Sequence, residues 1–211
     1  MDWTFAEDIT SSVSRAECQK LAELAAATAI RGFANFPPSD PPTGCRVLEV
    51  GCLYGRSTIA LASTAKVVFA VDHHSAIDQF PAHYASFMTQ ASTFLANLDR
   101  YGVRSKVVPV IAALEPFASV TQWGSFDLIF LDAHHEREFV EKDLATVLPL
   151  LRAGGTIAFH DYGVPGYVDE TGTLVRRWSV TELVDDLAKR NGCQIEQVET
   201  LAVMHGVTTM R

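Results

Sequence analysis

Seven histidines and a few acids at the ends of apolar runs are the residues of this 211-residue chain best suited to chemistry. His73, His74, His134, His135 and His160 each follow a short apolar run closely, and so do Asp72, Asp132 and Asp161. Histidine changes charge near neutral pH, so it serves as a general base or as a metal ligand. Carboxylates accept hydroxyl protons and hold hard cations. Upstream lies Glu49-Val50-Gly51-Cys52-Leu53-Tyr54-Gly55-Arg56-Ser57-Thr58. Glycines at a strand-to-helix turn let the backbone come close to a ligand, and the helix that follows offers free N–H groups. The spacing is E-x-G-x-x-x-G-x-S. It lacks the G-x-G-x-x-G that places a dinucleotide pyrophosphate, which counts against an NAD-dependent oxidoreductase, the competing enzyme reading. Asp72 stands roughly 20 residues beyond Gly51, where an acid accepts ribose hydroxyls. His73 then falls beside the ribose or the adenine of an adenosine-type ligand.

These residues need a scaffold that collects strand ends. Apolar runs at Val47–Val50, Val67–Val71, Val107–Ile111, Phe126–Leu131 and Thr156–Phe159 alternate with helical segments at 56–64, 82–101, 136–152 and 179–191. Continuous apolar runs imply strands buried on both faces, as in a parallel sheet covered by helices. The alternation predicts a doubly wound, mostly parallel α/β sheet of the Rossmann-like kind, with ligands in the crevice outside the strand ends. Segments 194–200 and 201–208 predict two closing strands that pair as an antiparallel edge hairpin, for seven strands in all. Pro109 requires that its strand be short, or that it sit where no ladder donor is needed. Residues 1–44 read as an N-terminal helix at 14–33 followed by a Pro-rich linker, and residues 45–211 as the ligand-binding domain.

With these residues in order, roughly 45 to 190 of the chain resembles the class I S-adenosylmethionine-dependent methyltransferases. The likeness is closest to the small bacterial families related to catechol O-methyltransferase. The loop spacing, the D-x-x-H of Asp132-Ala133-His134-His135, the Gly154-Gly155 turn and the His160-Asp161 pair carry it. The resemblance implies cofactor contacts at Glu49, Gly51, Gly55, Ser57, Asp72, His73, Ala112 and Asp132. At Ala112 relatives often carry a polar side chain, so the contact here is expected from backbone. It also implies a divalent metal at Asp132 and Asp161. This chain has Tyr162 where catechol-type relatives have Asn, and His160 before the second acid, so His160 joins the expected metal set and another divalent ion could replace Mg²⁺. The alternative is that Asp132 orients the cofactor amine or the substrate while His160 and Asp161 shape the pocket. His135 is the first choice for the base that takes the acceptor's proton, followed by His134 and His160. The expected acceptor is a small molecule such as a sugar or secondary metabolite, methylated on a hydroxyl. A non-catalytic nucleotide-binding module is the reading from a different class.

Composition narrows the partners. A net charge of −8 repels phosphate backbones and anionic lipid surfaces, so neither nucleic acid nor membrane is an expected partner. No apolar run reaches the ~18 residues of a spanning helix. The start of the chain, with Glu7 and Asp8, is unlike a secretory signal, and the expected location is the cytoplasm. Cys18, Cys45, Cys52 and Cys193 form no C-x-x-C pair and read as reduced thiols. The long stretch from Gly163 to Trp178 reads as a lid, with Tyr167, Arg176, Arg177 and Trp178 able to hold a ring or an anion. Trp3 and Phe5, ahead of the first helix, are expected to close the pocket or to form a homodimer contact.

Overall fold

The computed structural model describes residues 6–30, 44–74, 87–169 and 171–207. Trp3, Phe5, the Pro-rich linker, His83 and the first part of the segment expected to be helical at 82–101 lie outside these residues.

Helix α1 (Arg15–Ile30) precedes an alternating series. It runs β1 (Arg46–Val50), α2 (Arg56–Thr64), β2 (Val67–Asp72), α3 (Phe87–Arg100), β3 (Val107–Ile111), α4 (Leu114–Ser119), β4 (Phe126–Leu131), α5 (Arg137–Val147) and β5 (Leu151–Phe159). A small hairpin follows, β6 (Gly166–Val168) and β7 (Leu174–Arg177). Then come α6 (Val180–Asn191), β8 (Ile195–Val198) and β9 (Leu201–Val207). The seven-stranded sheet has the order β3-β2-β1-β4-β5-β9-β8. Strands β1 to β5 pair in parallel, and β9 runs antiparallel to both β5 and β8. This is the Rossmann-like sheet with an antiparallel end that the strand pattern predicts.

The continuous apolar runs have a simple cause. Successive side chains on a strand face opposite ways. Val47, Leu128 and Phe130 pack into one core layer with Leu21, Ile59, Phe94 and Leu98. Leu48, Ile129, Leu131 and Phe159 pack into the other with Val140, Leu183 and Val184. Leu21 and Leu24 of α1 are in the first layer, so α1 shares the core of the sheet. Pro109 sits on β3, an edge strand of the sheet, opposite Ala70, so its missing N–H has room to face outward.

Two expected boundaries move. The segment expected to be one helix from 136 to 152 ends as α-helix at Val147. A 3-10 turn at Leu148–Leu150 contains Pro149, which disfavours helix at the residue before it. The freed chain starts β5 at Leu151. The stretch expected to be a long lid loop carries β6 and β7. Their turn is built by Asp169, whose Oδ1 accepts the N–H groups of Thr171 and Thr173 at 2.9 and 3.0 Å.

Candidate active site

The strand ends β1, β2 and β4 meet at a cavity of about 320 Å³. Backbone hydrogen bonds carry the parallel ladder one residue past each strand and so place the site residues. Gly51 N donates to Val71 O (2.9 Å), Asp132 N to Val50 O (2.9 Å) and His160 N to Leu131 O (3.1 Å). Gly51 must be glycine here. Its φ is +83°, and a Cβ would stand 2.1 Å from the Asp132 carbonyl oxygen. Three non-glycine residues around the site also have positive φ: Leu53 (44°), His74 (53°) and Asp161 (60°). Such strain is held in place by its surroundings and collects at functional sites.

Of the expected cofactor residues, Gly51, Ser57, Asp72, His73, Ala112 and Asp132 line the cavity. Asp72 organises the loop across from it. Its Oδ2 accepts the amides of Cys52 and Leu53, both at 2.9 Å, and its Oδ1 accepts that of His74 at 2.7 Å. Glu49 and Gly55 are not in the cavity wall. Glu49 is fully buried and accepts the hydroxyls of Ser57 (2.5 Å) and Thr58 (2.6 Å), which locks the start of α2 to β1. Burial pushes its acid up to about 8; the two hydroxyls pull it down, and the charges of Asp132 and Asp72 push it up again. Gly55 lets Phe94 approach, since a Cβ there would meet the ring at 3.0 Å. The resemblance implies cofactor contacts at Glu49 and Gly55; in the structure Glu49 holds the start of α2 and Gly55 packs against Phe94.

At one end of the cavity Asp132, His135 and Asp161 offer ligand atoms that all lie within 4.8 Å of one another. His135 Nε2 stands 2.7 Å from Asp161 Oδ2 and 3.8 Å from Asp132 Oδ1. His160 lies beneath, with Nδ1 at 3.3 Å from Asp132 Oδ1 and 3.1 Å from Asp161 Oδ2. Yet neither His135 Nε2 nor His160 Nδ1 has a properly aligned hydrogen-bond partner. Two buried imidazole nitrogens and two carboxylates therefore converge in close but poorly aligned contact. The two carboxylates with one of these imidazole nitrogens form a donor set that suits a divalent transition cation as well as Mg²⁺, so the residues fit the metal that the resemblance implies. Electrostatics agree. Burial alone would lower the His135 pKa, but Asp132 and Asp161 outweigh it and lift it to about 9. His160 is likewise lifted against its burial by Asp132, Asp161 and Glu17. Both aspartates are held below the usual carboxylate range by the two imidazoles, in spite of burial.

His134 lines the same cavity, stacked on Phe139 with ring centres 4.6 Å apart, and burial lowers its pKa. His74 is buried against Phe94 and outside the wall. The β6–β7 hairpin and the residues just after it contact the His135–Glu136 segment. Trp178 stacks on His135 at 4.3 Å, and the amide of Ser179 donates to the His135 carbonyl at 2.8 Å. Arg176 pairs with Glu136 at 3.1 Å.

Two groups at the site go beyond the sequence reading. Phe139, Lys142 and Asp143 face the cavity from one side of α5, at the i, i+3 and i+4 positions of a helical face. Burial, with Glu115 adding to it, pushes Asp143 up to about 6. Glu17 of α1 reaches His160 from below. Its signal was the capping box Ser14-x-x-Glu17, in which each side chain bonds the other's backbone N–H.

A parallel sheet of this order with an antiparallel end, and a cavity at the Gly51 turn facing a strand-end acid, define a class I methyltransferase. The chain belongs to the methyltransferase domain family, whose profile matches residues 48–162, more than half its length. Among curated proteins no sequence matches significantly. Solved structures share the fold. The cofactor-bound Rv0187 protein from MTB is 21% identical with a TM-score of 0.65, over 98% of this chain and 87% of that one. An O-methyltransferase from Bacillus cereus in complex with S-adenosylhomocysteine is 19% identical with a TM-score of 0.65, over 97% and 87%. The O-methyltransferase TomG from Streptomyces achromogenes, involved in tomaymycin synthesis and solved with S-adenosylmethionine, is 19% identical with a TM-score of 0.61, over 97% and 86%. The chain is a methyltransferase that depends on S-adenosylmethionine, which sets the oxidoreductase reading aside.

Proposed function

We propose that this enzyme methylates a hydroxyl group of a small molecule. The observation that carries the reading is the meeting of Asp132, His135 and Asp161 within 4.8 Å at the cofactor cavity. The sulfonium donor is already activated, so the work left is to align the acceptor and remove its proton. Asp72 keeps acceptor capacity for the ribose hydroxyls beyond the amides it holds. Asp132, Asp161 and His160 Nδ1 are the groups that would hold a divalent cation. When bound, such a cation lowers the pKa of the acceptor hydroxyl and fixes its oxygen.

His135 Nε2 takes the hydroxyl proton. The oxygen's lone pair then forms the bond to the methyl carbon, the C–S bond breaks, and its electron pair stays on sulfur as S-adenosylhomocysteine. His135 can accept a proton only when it is neutral. Against its burial, the charges of Asp132 and Asp161 lift its pKa to about 9, and a cation on these two carboxylates would lower it. Fold neighbours that are O-methyltransferases support oxygen over nitrogen as the acceptor atom.

The test is a calorimetric titration with S-adenosylhomocysteine, with NAD as control, followed by an acceptor screen with and without chelator. Binding of the first ligand alone, and turnover that chelator abolishes, are expected. Turnover on hydroxylated acceptors that survives chelation would remove the cation from the proposal.

A further inference from the structure

His160 is only 2% exposed, yet both of its ring nitrogens face carboxylates. Nδ1 is turned to Asp132 and Asp161, as described above. Nε2 stands 3.3 Å from Glu17 Oε2 and 3.3 Å from the hydroxyl of Thr200. Glu17 is itself 1% exposed and comes from α1, 143 residues away in sequence. It is fully committed. Oε1 accepts the Thr200 amide at 2.9 Å and the Thr200 hydroxyl at 2.7 Å, and Oε2 accepts the Ser14 amide at 2.8 Å. Thr200 lies in the turn between β8 and β9, and its carbonyl in turn accepts the amide of Tyr162, next to Asp161.

An ionised carboxylate only accepts hydrogen bonds. The Thr200 hydroxyl proton already points at Glu17. The Nε2 of His160 is therefore satisfied in one way, by carrying a proton and donating it to Glu17. A neutral imidazole has a single N–H, so Nδ1 then presents its lone pair towards Asp132 and Asp161. Nδ1 lies within 3.3 Å of two carboxylate oxygens without good alignment to either, so the three groups can converge on one cation. We infer that Glu17 is a positioning residue. From the N-terminal helix it fixes the tautomer and ring plane of His160, so that Nδ1 completes the Asp132–Asp161 cation site. The inference rests on the cation reading above. Without a cation, Nδ1 carries the second proton, and Glu17 holds the Nε2 proton in either state. A carboxylate behind a ligating imidazole orients the ring and strengthens the ligand.

Glu17→Gln tests this. The amide keeps the size of the side chain but cannot accept on both sides, so either Thr200 or His160 loses its partner. Mn²⁺ binding, read from the electron paramagnetic resonance of the free ion, is expected to weaken about 10- to 100-fold. Binding of S-adenosylhomocysteine without metal should be unchanged, which also shows that the variant is folded. Thr200→Val, which leaves the carboxylate but removes the hydroxyl that aims it, should weaken Mn²⁺ in the same direction and by less. In the metal-free protein, the His160 Nε2 proton in nitrogen-edited spectra should shift and exchange faster in Glu17→Gln. Mn²⁺ affinity that does not change in Glu17→Gln would overturn the inference. If the unaltered protein takes up no Mn²⁺, the cation reading itself fails. The positioning role is then decided by the His160 proton alone: a moved signal supports it and an unmoved signal overturns it.

Discussion

Asp72 holds three backbone amides at the rim of the cavity, and in the proposed reading the ribose shares the same carboxylate. Asp72→Ala therefore removes the ribose acceptor and loosens the loop at once. A charged hydrogen-bond acceptor contributes about 1.5–3 kcal/mol, so S-adenosylhomocysteine affinity in a calorimeter should drop roughly 10- to 100-fold. An unchanged affinity would take Asp72 out of the ribose site. His135→Ala separates two roles. As the base, its loss should cut turnover by ~10²–10⁴ and leave both S-adenosylhomocysteine and Mn²⁺ binding intact. Loss of Mn²⁺ binding would move His135 into the ligand set. Glu49 supplies a pH signature. Folded, it stays protonated up to about pH 8, whereas unfolded it ionises near 4.5. Its stabilising contribution is complete below pH 4.5 and drains away as pH rises through 8. Across that window the melting temperature of the unaltered protein should fall more steeply than that of Glu49→Gln. Parallel curves would show that Glu49 is ionised in the fold.

At the scale of elements, the β6–β7 hairpin gives a long connection regular structure next to His135 and Glu136. Trp178, just after β7, packs its ring on His135, and the Ser179 amide ties the next residue to the His135 carbonyl. Removing a stacked ring costs about 0.5–1.5 kcal/mol, up to about a tenfold change. Trp178→Ala should therefore raise the acceptor KM or lower kcat within that range, with no change in S-adenosylhomocysteine affinity. A matching loss of cofactor affinity would place Trp178 on the cofactor side instead. The length of this connection is legible in the sequence, but its hairpin depends on a turn that Asp169 closes over a few residues. Helix α4 escaped for a related reason: six residues that include Pro116 are too few to show a helical period.

The molecule as a whole carries eight excess negative charges, and its site is lined with carboxylates. Binding to a polyanion draws its affinity from cation-bearing side chains that release counterions. Filter binding with duplex RNA at about 0.15 M salt should therefore give no retained complex. Salt-sensitive retention would overturn the small-molecule reading in favour of a nucleic-acid acceptor. No helix among the described residues is long and apolar enough to cross a membrane.

What the sequence determined by itself is local. The strand periods, the Gly51 turn, and the placing of Asp72, Asp132, His135 and Asp161 at strand ends follow from the order of residues over short stretches. In a parallel sheet, that order suffices to gather these residues at one edge. Tertiary structure decided the rest. Which groups Glu49 meets depends on which way β1 turns its side chains, and the packed fold sets it against the Ser57 and Thr58 hydroxyls. That His160 lies below the site, held by Glu17 and Thr200, required α1, the end of β5 and the β8–β9 turn to close on one point. Contacts that span 143 residues leave no period in a sequence, because only the packed core brings their partners together.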